Sequence, residues 1–118
     1  MSKAVLAVVA LLAGCASGYQ TTSTVNGVRI ETRMDSWPRR CEIRQATAFN
    51  ETGSSLSGVD SYFTAISKET RETTDTIRIG FPGMVPGGRA TANYASGRVF
   101  IGYPCAAMNF HVKVDPYP

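Results

Sequence analysis

Only one histidine, His111, and one tryptophan, Trp37, occur in the 118 residues. A single histidine leaves little for acid–base chemistry, which needs a base, a nucleophile and an orienting group within reach. His111 falls in mid-strand on a polar face and reads as a solvated side chain. No serine stands in a G-x-S-x-G setting. The nine carboxylates are scattered among basic residues, so no glycosidase-type pair stands out. Asp60, Glu69, Glu72 and Asp75 cluster in the sequence but read as a solvated face. Gly83, Gly87 and Gly88 are interrupted by Pro82 and Pro86, with no lysine following, which excludes a phosphate loop. The formal net charge is +3 and no basic run exceeds Arg39-Arg40; nothing here fits a nucleic-acid binder. Cys41, Cys105 and His111 give three candidate metal ligands without a C-x-x-C pair, so no metal site is expected. No internal repeat and no coiled-coil heptad is present. These absences point away from an enzyme and from a cofactor.

Long hydrophobic runs are also lacking, with one exception. Lys3 is followed by ten apolar residues, Ala4 to Ala13, and no other charge occurs before Arg29. A helix of that length spans about 15 Å, whereas a bilayer core asks for about 20 residues. A basic start, a short apolar stretch and small residues after it form the layout of a secretory signal. The stretch ends in Leu12-Ala13-Gly14-Cys15, which resembles the lipobox of bacterial lipoproteins. The resemblance covers only the first 15 residues. It implies cleavage before Cys15, a diacylglyceryl group on its thiol and acylation of its freed amine. A thiolate is the side-chain nucleophile suited to that transfer, and two or three acyl chains anchor stably where one does so marginally. The residue after the anchor is Ala16 rather than aspartate. In a Gram-negative cell that implies export to the outer membrane, with the face left open.

Export would place Cys41 and Cys105 in an oxidising compartment. With Cys15 taken by lipid, the remaining count is even and a single pairing is possible. Closing so long a loop is worth about 4 kcal/mol in chain entropy. That is a large share of the 5–15 kcal/mol that stabilises an ordinary domain.

The expected organisation is a signal peptide over 1–14, the lipidated cysteine with a flexible tether over 15–27, and one β-rich domain over 28–118. The tether segment is rich in Ser, Thr and Gly, although its threonines and Val25 could also pair as an edge strand. From Val28 on, period-2 alternation dominates. Val28, Ile30 and Thr32 share one face, Asp35-Ser36-Trp37-Pro38 reads as a turn, and Cys41, Ile43, Gln45, Thr47 and Phe49 share the face of a second strand. Residues 50–58 read as a loop. Residues 59–72 are compatible with a short helix, through Val59, Tyr62, Phe63 and Ile66, but the composition favours a strand. Thr74 to Phe81 is a clearer strand and 82–88 a loop. Residues 89–94 and 98–103 read as two strands joined at Ser96-Gly97, and Phe110, Val112 and Val114 mark the last strand, closed off by residues 115–118. Six or seven short strands make a small antiparallel sandwich or barrel with one disulfide.

Two binding surfaces suggest themselves. Trp37-Pro38-Arg39-Arg40 combines the residue types enriched at interaction hot spots, and Arg39 and Arg40 suit phosphates or carboxylates of an envelope glycan or acidic protein; Trp37 as a core cap is the plainer alternative. Met84 and Val85 sit at the tip of the 82–88 loop, where apolar residues can mark a contact. The expected function is that of a non-catalytic envelope lipoprotein, held to the membrane by lipid and binding an envelope protein or glycan. In size, anchor, β character and single disulfide the chain is also similar to small lipidated inhibitors of lysozyme. A phage- or plasmid-encoded lipoprotein that blocks a surface receptor is a third possibility.

Overall fold

The structure, a computed structural model, describes residues 16–118, with the backbone alone over 95–97. The expected signal segment and Cys15 lie outside the described residues. Seven strands and one short 3-10 turn follow in order: β1 Ser17–Val25, β2 Val28–Trp37, β3 Arg40–Asn50, β4 Leu56–Ser67, β5 Thr73–Met84, β6 Arg89–Ile101, the turn Cys105–Ala107, and β7 Met108–Tyr117. They form two antiparallel sheets, β1-β2-β3-β6 and β5-β4-β7. The chain crosses from the first sheet to the second after β3, back after β5, and over again after β6. The expected antiparallel architecture with seven strands and one disulfide is the one observed.

Alternation decides which side chains fill the space between the sheets. Val28, Ile30 and Met34 of β2 and Cys41 and Ile43 of β3 face Val59 and Phe63 of β4, Ile79 of β5 and Val114 of β7, all essentially inaccessible to water. Burying a side chain of this size contributes about 1.5–3 kcal/mol. Phe100 of β6 is fully buried and meets the ring of Phe110 at 5.4 Å between centroids. The ambiguous segment 59–72 resolves by period: Val59, Ser61, Phe63 and Ala65 point inward while Tyr62 and Ile66 point outward, which only a strand allows. Ser61 enters the core because its hydroxyl donates to the carbonyl of Ile79 at 2.8 Å.

Several expectations are corrected. Residues 17–25 are not a free tether but a full edge strand, paired with β2 from Ser17–Ser36 to Val25–Val28. The cause is Asn26-Gly27, whose φ values of 54° and 77° are the left-handed pair that a two-residue hairpin turn demands. Asn26 also donates to the carbonyl of Val114 at 2.8 Å, tying this hairpin to the second sheet. In β3 the inward face switches midway. A bulge at Arg44 shifts the register against both neighbours, so Ala46, Ala48 and Asn50 turn inward and Gln45, Thr47 and Phe49 outward. One extra residue moves every later side chain to the other face. Phe49 is half-buried on the outer surface beneath the guanidinium of Arg29, 3.9 Å from its centroid.

The two expected strands over 89–94 and 98–103 are a single strand. Both halves of β6 pair with β3, and the residues between Asn93 and Arg98 pass the Arg44 bulge rather than reversing direction. The expected 82–88 loop is shorter, because β5 continues through Pro82 to Met84, and β7 likewise runs through Pro116 to Tyr117. Both prolines lie on strands at sheet edges, where a missing N–H costs the ladder nothing. The turn expected at 35–38 narrows to Pro38-Arg39, since β2 extends to Trp37.

Asn50 is fully buried and clamps one end of the sandwich. Its amide nitrogen donates to the carbonyls of Ser54, Met84 and Val85, and its side-chain oxygen accepts from the N–H and hydroxyl of Thr52. This one side chain joins the β3–β4 loop to the β5–β6 turn.

Candidate functional site

The polar features gather at the two ends of the sandwich and on the outer faces of its sheets. At one end, Trp37 and Arg40 close the β2–β3 hairpin as a cross-strand pair. The Arg40 guanidinium lies 4.4 Å from the Trp37 ring centroid, and its Nε donates to Glu42 Oε1 at 2.7 Å. Ile101 is the next residue across, paired with Arg40 on β6 and 70% exposed. Gly102 N–H donates to the carbonyl of Arg39 at 2.8 Å, which extends the tip to three strands. The disulfide sits directly beneath: Cys41 and Cys105 are bonded, with Cα atoms 4.8 Å apart, and Cys105 N–H donates to Ser36 Oγ. Trp37 is half-buried beside Arg40, and its indole N–H is buried with no hydrogen-bond partner among the described residues. Pro38 and Arg39 are exposed, and Arg39 has no ion-pair partner among the described residues.

Met84 and Val85 lie at the opposite end, and they part company. Met84 belongs to β5 and is buried at 6% exposure, whereas Val85 begins the turn and is 66% exposed. The two expected surfaces are thus separate, about 30 Å apart along strands of ten residues. His111 is exposed on β7 opposite Thr64. With Cys41 and Cys105 bonded to each other, no group of three metal-ligating side chains exists among the described residues.

Two arrangements on the outer faces escape any local reading of the sequence. On the first sheet, the Arg44 bulge and Gly18 of the edge strand open a groove of about 530 Å³, lined also by Gln20, Arg33 and Asp35. Arg44 pairs with Asp35 at 3.1 Å and with Glu42 at 3.5 Å. Arg33 is exposed at the groove's floor with no ion pair among the described residues. On the second sheet, Asp60 was expected among solvated carboxylates but its side chain is only 15% exposed. One carboxylate oxygen accepts from Arg78 Nη2 at 2.6 Å and the other from the Tyr117 hydroxyl at 2.9 Å. Gly80 opposite Asp60 makes room, since a Cβ there would stand 3.2 Å from the carboxylate. The charge of Asp60 raises the Arg78 guanidinium above its ordinary range, and the hydrogen bond to Asp60 raises the Tyr117 phenol above its ordinary 10.0. The three residues come from β4, β5 and β7, and only strand register brings them together.

Compared with known protein families, curated proteins and solved structures, the chain matches none of them.

Proposed function

We propose that this protein is a lipid-anchored lipoprotein of the bacterial envelope, attached through Cys15, whose β-sandwich binds another envelope protein or glycan without catalysing a reaction. The observation that carries this reading is the fate of the three cysteines. Cys41 and Cys105 are spent on each other, which leaves Cys15, behind Leu12-Ala13-Gly14, as the free thiol. A buried disulfide also suits an exported protein. No helix among the described residues is long and apolar enough to cross a membrane, so attachment by lipid is the route the sequence offers. The outer faces favour binding over bond-making: Asp60, Asp35 and Glu42 are each engaged by arginine, and the open groove presents Arg33 to solvent for an anionic group. In a Gram-negative cell, Ala16 after the anchor favours the outer membrane.

The deciding experiment is intact mass of the protein extracted from membranes, for the wild type and Cys15→Ser. The wild type should start at Cys15 and carry two or three acyl chains, while Cys15→Ser should remain as the uncleaved, unacylated precursor. A mature wild-type chain with no acyl mass would refute the anchor. Cross-linking in intact envelopes then identifies the partner, and Arg33→Glu should weaken its capture.

A further inference from the structure

We propose that the end of the sandwich built from Trp37–Arg40 and Ile101–Pro104 rests in the headgroup layer of the bilayer that anchors the protein, so that the strands stand up from the membrane. The inference rests on acylation of Cys15 and adds an orientation to it.

Reach comes first. Only Ala16 separates Cys15 from Ser17, where β1 begins. Two residues extend at most about 7 Å. Ser17 is paired with Ser36, and neighbouring strands lie about 5 Å apart; Trp37 is the next residue. Acyl chains on Cys15 would therefore enter the bilayer within about 12 Å of the hairpin tip. A headgroup layer is itself about 5–7 Å deep on each side. Since β1 is held by pairing along its whole length, no slack remains that would let the domain stand off.

Chemistry comes second. The tip carries the residue types that favour a membrane interface: one tryptophan, a neighbouring tyrosine, exposed aliphatic surface and arginine. Ile101 at 70% exposure is the most exposed large apolar side chain among the described residues. Trp37 and Tyr103 are half-exposed near it, and Arg39 is open to solvent. The acidic groups at this end are mostly answered. Glu42 is held by Arg40 and Arg44, Asp35 by Arg44, and exposed Glu69 and Glu72 share their loop with Lys68 and Arg71. Ile101 and the open part of Trp37 lie at the end of the sandwich nearest Cys15, and the anchor brings the lipid to them.

Trp37 is the sole tryptophan, so its emission reports on the tip alone. The acylated protein is reconstituted in vesicles of phosphatidylethanolamine and phosphatidylglycerol, and in matched vesicles with brominated acyl chains. Intact mass establishes acylation beforehand. The expected result is a blue shift on reconstitution and a loss of Trp37 emission in the brominated vesicles. Arg39→Glu combined with Ile101→Ser, two exposed positions, should recover emission while the protein stays acylated and folded. Acylated, vesicle-bound protein emitting equally in both vesicles would overturn the orientation and leave the anchor standing. Absence of acyl mass would overturn the anchor and the orientation with it.

Discussion

Asp60 shows how much a single side chain can organise. Placed in mid-sheet with little exposure, its carboxylate accepts from an arginine on one side and a phenol on the other. The phenol of Tyr117 ionises above its ordinary range because the phenolate would lose that hydrogen bond and face the Asp60 charge. The sign follows: a raised pKa means the contact is intact below the ordinary pH 10.0 and fades as pH climbs through the folded value. Ultraviolet titration should show one of the five tyrosines ionising late, and Asp60→Asn should remove the lag. Identical curves for the two proteins would sink the assignment. Neither Asp60 nor Asn50 could be singled out beforehand. Asp60 sits among other acidic residues in sequence, and Asn50 stands at the head of a Ser- and Gly-rich stretch that reads as loop. Their partners are brought in by strand register from elsewhere in the chain, and a local pattern holds no information about them.

Strands follow from alternation wherever one face is buried, and β2, β5 and β7 are legible for that reason. Alternation fails where a residue is inserted. The Arg44 bulge inverts the later half of β3, and its counterpart in β6 mimics a hairpin at Ser96-Gly97; a period of two carries no warning of either. The first hairpin is the opposite case. Asn26-Gly27 between Val25 and Val28 is a strong hairpin signal, outweighed in the reading by the polar, tether-like composition around it. The turn is sensitive to any added side chain: a Cβ on Gly27 would lie 2.8 Å from Thr52 Cγ2 and 3.2 Å from Thr52 Cα, at φ 77°. Gly53, at φ 83°, has nothing within 4 Å. Gly27→Ala should therefore cost about 1–3 kcal/mol and more than Gly53→Ala, measured by urea midpoint. Equal losses would mean that Thr52 yields and the backbone angle alone matters. Trp37–Arg40 was legible as a feature, and the element it closes explains its position. Met84 was misplaced because Pro82 was read as ending a strand that in fact lies at a sheet edge.

For the molecule as a whole, the Cys41–Cys105 bond links the start of β3 to the turn before β7, across 64 residues. Replacing both cysteines by alanine should lower stability by about 4 kcal/mol, read as a lower denaturant midpoint, with a steeper slope as the freed unfolded chain exposes more surface. Both sulfurs are inaccessible, so reductant alone should act on the native wild type only as fast as the protein opens. A double variant as stable as the wild type would show that the core suffices without the bond. The pinned first strand has a last consequence, for proteolysis. An exported domain on a slack leash is shaved from cells by cutting the leash. If Cys15 carries the proposed lipid, the leash is Ala16, and Ser17–Val25 behind it are paired with β2. A protease would have to peel a nine-residue strand off the sheet before it could separate the domain from its lipid. On the proposed anchor, the protein should therefore stay on the envelope under digestion that strips more loosely tethered neighbours.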